Sequence, residues 1–278
     1  THLSAMGSKI SPMWLVCLSA RAILPSKKSV RTEYKKSRNA HFNYVPTYTG
    51  PGHASIYTGT TPATHGIIAN NWYEKSSKEV VYCVSDDGAY GVGCENKNGK
   101  MSPHRLKVPT LGDAIRVSSQ FKGKSVGISI KDRGAILPAG HSANEVYWFD
   151  YDSGNFVTSD YYTSTLPNWL SDFNKKKHAD RLAKEPWETS LAIHHYDEST
   201  PDQSPYEKGL VNADEPVFPY DVEAAIKEKG YYAFAGSPYG NTILRMLAEE
   251  CLINAELGQD DHLDLLSISF SSPDIIGH

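Results

Sequence analysis

Short apolar runs alternate along the chain with stretches in which apolar residues recur at helical spacing, and this alternation predicts an α/β fold. Residues 125–130 (S-V-G-I-S-I) and 263–270 (L-D-L-L-S-I-S-F) have the length and apolar content of buried strands. Residues 241–257 place Ile243, Leu244, Leu247, Cys251 and Leu252 on one helical face, and Gly258 supplies a stop. Residues 110–118 read as a helix ahead of the 125–130 strand. Residues 13–22 form another short apolar segment, preceded by Lys9 and ending in a small-x-small pattern. That is the form of a brief secretory signal, but also of a first core strand, and its brevity favours the strand. Residues 25–38 are basic and poor in apolar side chains, a loop or a surface helix. Between 147 and 236 the composition shifts to Tyr, Trp, Asp, Lys and Pro with many turn signals, predicting an inserted cap beside the active face. The predicted division is an atypical N-terminal segment over 1–38, an α/β core from 39–146 and 237–278, and the cap over 147–236.

Four stretches carry candidate chemistry. In P-T-Y-T-G-P-G-H over residues 46–53, an extended entry meets a tight Gly/Pro turn and a helix begins at once. Unpaired N–H groups and partial positive charge at a helix N-terminus suit a phosphate, which makes Thr49 the candidate nucleophile; an ordinary helix entry has the same form. The second stretch, H-G-I-I-A-N over 65–70, ends in Asn70. In the third, S-I-K-D-R-G-A-I-L-P-A-G-H over 129–141, Lys131 and Arg133 stand two residues apart just after the 125–130 strand, so both side chains leave on one face. Two converging cations suit a dianionic phosphoryl group better than a monoanionic diester. The fourth is S-P-D-I-I-G-H over 272–278, where Asp274 and His278 are four apart and can reach one ion as the chain enters a helical turn.

Charge and cysteine content narrow the partners. The formal net charge of −4 leaves no nucleic-acid footprint, so phosphate binding must come from placed residues, and the partner expected from the four stretches is a small phosphorylated substrate. No run is long and apolar enough to span a membrane. Among the eleven His, only His53, His65, His141 and His278 lie inside these stretches, and the His194-His195 pair sits in polar surroundings. Cys17, Cys83, Cys94 and Cys251 have no metal-type spacing. Cys83 and Cys94 flank a Gly- and Asp-rich segment that a disulfide could close, if their Cβ atoms approach.

Taken together and in this order, the four stretches resemble the alkaline phosphatase superfamily, in the branch of bacterial alkaline phosphatases with a threonine nucleophile, related to the nucleotide pyrophosphatase/phosphodiesterases. The resemblance runs from Asn39 to His278. It implies an alkaline-phosphatase-like, mostly parallel central sheet flanked by helices, and hydrolysis of phosphate monoesters through a phospho-threonine intermediate on Thr49. It also implies phosphate binding by Asn70, Lys131 and Arg133, two zinc ions with Thr49, Asp274 and His278 among their ligands, and a periplasmic or secreted location. The match is incomplete: the family takes a zinc-ligating Asp from its first strand, whereas residues 1–48 contain no Asp and a single carboxylate side chain, Glu33. Further family ligands follow the Asp-x3-His motif, which ends this chain and gives it the look of a truncated form. Two alternatives therefore stand beside the monoesterase: a phosphodiesterase or nucleotide pyrophosphatase, and an inactive phosphate-binding fragment or pseudoenzyme.

Overall fold

The computed structural model describes residues 41–210, 213 and 215–277, together with the backbone of residues 14–19. A six-stranded mixed sheet forms the centre, built from β1 (Trp14–Ser19), β4 (Gly91–Val92), β5 (Ser125–Ser129), β6 (Glu145–Phe149), β7 (Phe156–Ser159) and β8 (Leu265–Phe270) in the order β1-β8-β5-β6-β7-β4. The three middle strands, β8, β5 and β6, run parallel, whereas β1, β7 and β4 join antiparallel at the two sides. The short apolar segment 13–22 thus contributes an edge strand, and both buried-type runs become central ones. A separate hairpin pairs β2 (Asn71–Glu74) with β3 (Glu79–Tyr82).

Helices cover both faces. On one lie α1 (Thr49–Thr58), α3 (Leu111–Ser118) and α4 (Asp132–Ala139), preceded in the chain by the short α2 (Pro62–His65). The other carries α5 (Asn168–Lys175), α6 (His178–Leu182), α7 (Val222–Lys229), α8 (Tyr231–Ala235) and α9 (Pro238–Asn254), while α10 (Ser272–Ile276) follows β8 directly. Strand periodicity sorts the core: Tyr147 and Phe149 of β6 pack with Ile243, Leu244 and Leu247 of α9, whereas Val146 and Trp148 pack with Ile136 and Leu137 of α4. The predicted helix over 110–118 is α3, whose N-cap Thr110 forms a capping box with Asp113. The predicted 241–257 helix begins earlier, at Pro238, where Ser237 caps it, and ends at Asn254, ahead of Gly258 at φ +71°. Within residues 147–236, most of β6 and all of β7 belong to the central sheet, and α5 to α8 pack over it.

The face of the sheet toward α1 and α4 is lined by small residues. Ser125, Gly127 and Ser129 of β5 alternate with Val126 and Ile128, and Ser267 and Ser269 of β8 alternate with Leu266 and Ile268. A Cβ on Gly127 would lie 2.3 Å from the Ala135 carbonyl oxygen of α4, and one on Gly134 would lie 2.7 Å from Ser129 Oγ. The helix therefore rests almost directly on the strand backbone. The serines supply polar partners on the same face, with Tyr57 OH 2.7 Å from Ser267 Oγ and His53 Nε2 2.9 Å from Ser269 Oγ.

Gly127→Ala should force α4 away from β5, because the obstructing atom is backbone and cannot rotate aside. A loss on the order of 1–3 kcal/mol is expected from this overpacking. Urea unfolding followed by far-UV circular dichroism measures it, and an unchanged midpoint would contradict the close approach.

Candidate active site

Thr49 opens α1, with Tyr48 in extended conformation as its N-cap. The first turn is closed by Gly52 N donating to Tyr48 O at 2.9 Å, and Gly50 N donates to Asn70 Oδ1 at 2.7 Å. Because that oxygen is the acceptor, Asn70 presents its amide N–H2 group as the remaining donor. The Asn70 backbone is fixed by Cys83 N donating to Asn70 O at 2.9 Å, across the base of the β2–β3 hairpin. One turn into α1, buried His53 donates from Nδ1 to Thr49 O at 2.8 Å and accepts at Nε2 from Ser269 Oγ. Burial pushes its pKa down to about 4, so the ring is neutral and positions Thr49 against the sheet. His65 is likewise neutral, its pKa lowered to about 4 by burial: Nδ1 accepts from Ile67 N at 3.1 Å while Nε2 donates to Ser55 Oγ at 3.0 Å.

Lys131 is the N-cap residue of α4 and Arg133 lies in its first turn, so the turn between β5 and α4 delivers both cations. Lys131 is 7% exposed and pairs with Asp274 Oδ2 from the first turn of α10. Burial pushes the Lys131 ammonium below its ordinary value, and the Asp274 carboxylate opposes that shift. Arg133 Nη1 donates to Tyr82 OH at 2.7 Å, its guanidinium stands 5.8 Å from the centre of the Tyr82 ring, and Tyr82 OH donates to Asp132 Oδ1 at 2.5 Å. Burial and then the Asp132 charge drive the Tyr82 hydroxyl far above its ordinary pKa, which keeps it protonated. Arg133 Nε is buried without a hydrogen-bond partner in the protein, and other parts of the side chain line the cleft.

These groups share one cleft of about 550 Å3, lined by Thr47, Tyr48, Thr49, Asn70, Lys131, Arg133, Tyr151, Tyr232, Asp274 and Ile275. Five sequence-designated residues are thus gathered: Thr49, Asn70, Lys131, Arg133 and Asp274. His278 and Glu33 lie outside the described residues. Among the described residues, no three His, Cys, Asp or Glu side chains come together as a metal would require. His141 stands apart from the cleft, with Nε2 donating to Leu106 O at 2.8 Å and Nδ1 3.2 Å from Asp113 Oδ2, where it anchors the start of α3. Cys83 and Cys94 are free thiols. The Cys83 sulfur lies beneath Gly50, its pKa pushed up to about 12 chiefly by burial, while Cys94 packs between Gly91 and Gly99.

Sequence reasoning missed Tyr82, Tyr151 and Tyr232. Tyr82 acts through Arg133 and the other two line the cleft, all three by tertiary packing, and only the aromatic enrichment of the 147–236 stretch hinted at the last two.

Comparison with known proteins follows the same outline. The model of the type I phosphodiesterase / nucleotide pyrophosphatase family matches residues 20–278. A protein of Myroides odoratus named a calcium-transporting ATPase is 41% identical over 253 residues, which are 90% of this chain and 46% of that protein. The alkaline phosphatase PafA of Elizabethkingia meningoseptica is 40% identical over 253 residues, 91% of this chain and 46% of the relative. A crystal structure of wild-type alkaline phosphatase PafA superposes with a TM-score of 0.83 at 40% identity, covering 86% of this chain and 46% of that one. The chain therefore spans about half the length of the curated relatives it matches.

The protonation of His53 is open to direct measurement. Its depressed pKa means that its contribution to stability is complete above the ordinary His value of about 6.5 and is lost as pH falls through about 4. Its ring resonances should stay still between pH 8 and 5.5 and move only near 4. A midpoint at 6 or above would show that the ring is not sealed under α1.

Proposed function

The chain belongs to the type I phosphodiesterase / nucleotide pyrophosphatase family, and on that premise we propose that its cleft hydrolyses phosphate monoesters with Thr49 as nucleophile. The observation that carries the reading is the convergence of Lys131 and Arg133 beside Thr49 in the lining of one cleft. A monoester dianion offers three non-bridging oxygens. The Arg133 fork, the Lys131 ammonium and the Asn70 amide are three donors of matching character. Thr49 at the start of α1 adds the partial positive charge of the helix terminus. Attack forms the bond from Thr49 Oγ1 to phosphorus as the bond to the leaving oxygen breaks. Water then cleaves the phospho-threonine and releases inorganic phosphate.

A threonine hydroxyl is a weak nucleophile at neutral pH, and a divalent ion such as the zinc of the resembled family would supply the Lewis acidity. Asp274 is the one carboxylate among the described residues lining the cleft, and it is paired with Lys131. The described residues do not by themselves complete a zinc cage, so the roles assigned to them are phosphoryl binding by Asn70, Lys131 and Arg133 and attack by Thr49. A periplasmic or secreted location belongs to the same proposal and rests on the bacterial alkaline phosphatase relatives.

The family name keeps a diesterase as the second reading, and the cation pair separates the two. Lys131→Ala or Arg133→Ala should lower kcat/KM for a monoester by about tenfold or more, consistent with charge-assisted hydrogen bonds, and for a diester much less. Equal losses would favour the diesterase. Assayed with zinc present, Thr49→Ala should abolish turnover and Thr49→Ser should retain part of it; near-normal activity in the alanine variant would remove Thr49 from its role.

A further inference from the structure

The cleft has two chemically distinct walls. One is the phosphoryl-binding set already described; the other is made by Tyr151, Tyr232 and Ile275. Tyr151 follows β6 and is held in place by its hydroxyl, which donates to Ile130 O at 3.2 Å, and by edge-on packing against Phe149 with ring centres 6.0 Å apart. Tyr232 stands edge-on to Tyr151, with centres 5.5 Å apart and planes at 71°. Its backbone is set by the junction of α7 and α8, where Gly230 takes φ +70° and Tyr231 N donates to Tyr151 O at 3.2 Å. Ile275 closes on the same region: a Cβ added at Gly236, the residue after α8, would lie 3.3 Å from Ile275 Cγ2. Tyr151 is thus committed to the interior, whereas Tyr232 keeps 53% of its surface exposed while lining the cleft.

An exposed aromatic ring braced from behind by a second ring is a platform for a flat apolar group. From this geometry we infer that the cleft selects phosphate monoesters whose organic portion is aromatic, with Tyr232 as the specificity-determining residue and Tyr151 as its support. The inference rests on the monoesterase reading, since it presupposes that the phosphoryl end is gripped by Lys131 and Arg133. No bond is made or broken by the platform; it contributes contact area that an alkyl phosphate does not use.

The test is calorimetric binding of inorganic phosphate, ethyl phosphate and phenyl phosphate to the full chain, wild type and Tyr232→Ala. Phenyl phosphate should bind wild type roughly three- to tenfold more tightly than ethyl phosphate, the range expected for one favourable ring–ring contact. Tyr232→Ala should erase that preference and leave inorganic phosphate unaffected, and Tyr232→Phe should keep it. Equal affinities for the two esters in wild type, a comparison that needs no variant, would overturn the inference while leaving the phosphoryl site intact. A preference that survives in Tyr232→Ala would overturn it too. Failure of inorganic phosphate to bind, or binding unchanged in Lys131→Ala, would instead overturn the monoesterase reading and the inference with it.

Discussion

Everything in the cleft depends on how closely two helices approach the central sheet. Gly127 and Gly134 remove the side chains that would hold α4 away from β5, and Ser267 and Ser269 of β8 supply polar partners for α1. Protein interiors pack at near-crystalline density, so this arrangement tolerates little adjustment. Because Lys131 and Arg133 sit at the start of α4 and Thr49 at the start of α1, the two seats on the sheet set the distance between cations and nucleophile. His53 ties the second seat to Thr49 itself, from Ser269 through the imidazole to the Thr49 carbonyl.

The cations are held ready by neighbours of opposite character. Lys131 meets the Asp274 carboxylate, and Arg133 meets a neutral phenol that donates its own hydrogen bond to Asp132. A buried charge is tolerable only when paired and hydrogen-bonded, and each partner here leaves donor capacity in reserve. The resulting surface is positively charged at one wall and aromatic at the other, a division that matches a molecule with one charged and one apolar end.

Much of this was legible in the chain because the relevant signals are local. Thr49 with its Gly/Pro turn, the Lys131 and Arg133 spacing, and Asp274 after the 263–270 run each lie within a few residues of the turn that positions them, and the structure gathers them with Asn70 into one cleft. Core strands were equally plain, since all-apolar or small-and-apolar runs have few other uses. Other features have no local signature. Nothing near Tyr82 announces Arg133, 51 positions away in the chain. Tyr151 and Tyr232 come together from opposite ends of a stretch whose composition reads as a cap, although its first residues complete β6 and supply β7. A capacity of Cys83 and Cys94 to pair was compatible with their spacing, but packing under Gly50 and beside Gly91 sends the two thiols to different surroundings.

The β2–β3 hairpin has an unusual position in this arrangement. Asn70 precedes its first strand and Tyr82 ends its second, with the Cys83-to-Asn70 backbone bond joining the two at the base. The substrate-facing amide and the brace of the guanidinium are therefore two ends of one ribbon. A slip of one residue in the pairing of that ribbon would turn Tyr82 to its opposite face and shift the anchor of Asn70 in the same event. The far tip around Lys75 and Ser76 is exposed and takes no part in the cleft, so a change there moves neither end, whereas a shift in the alignment of the two strands behind it moves both.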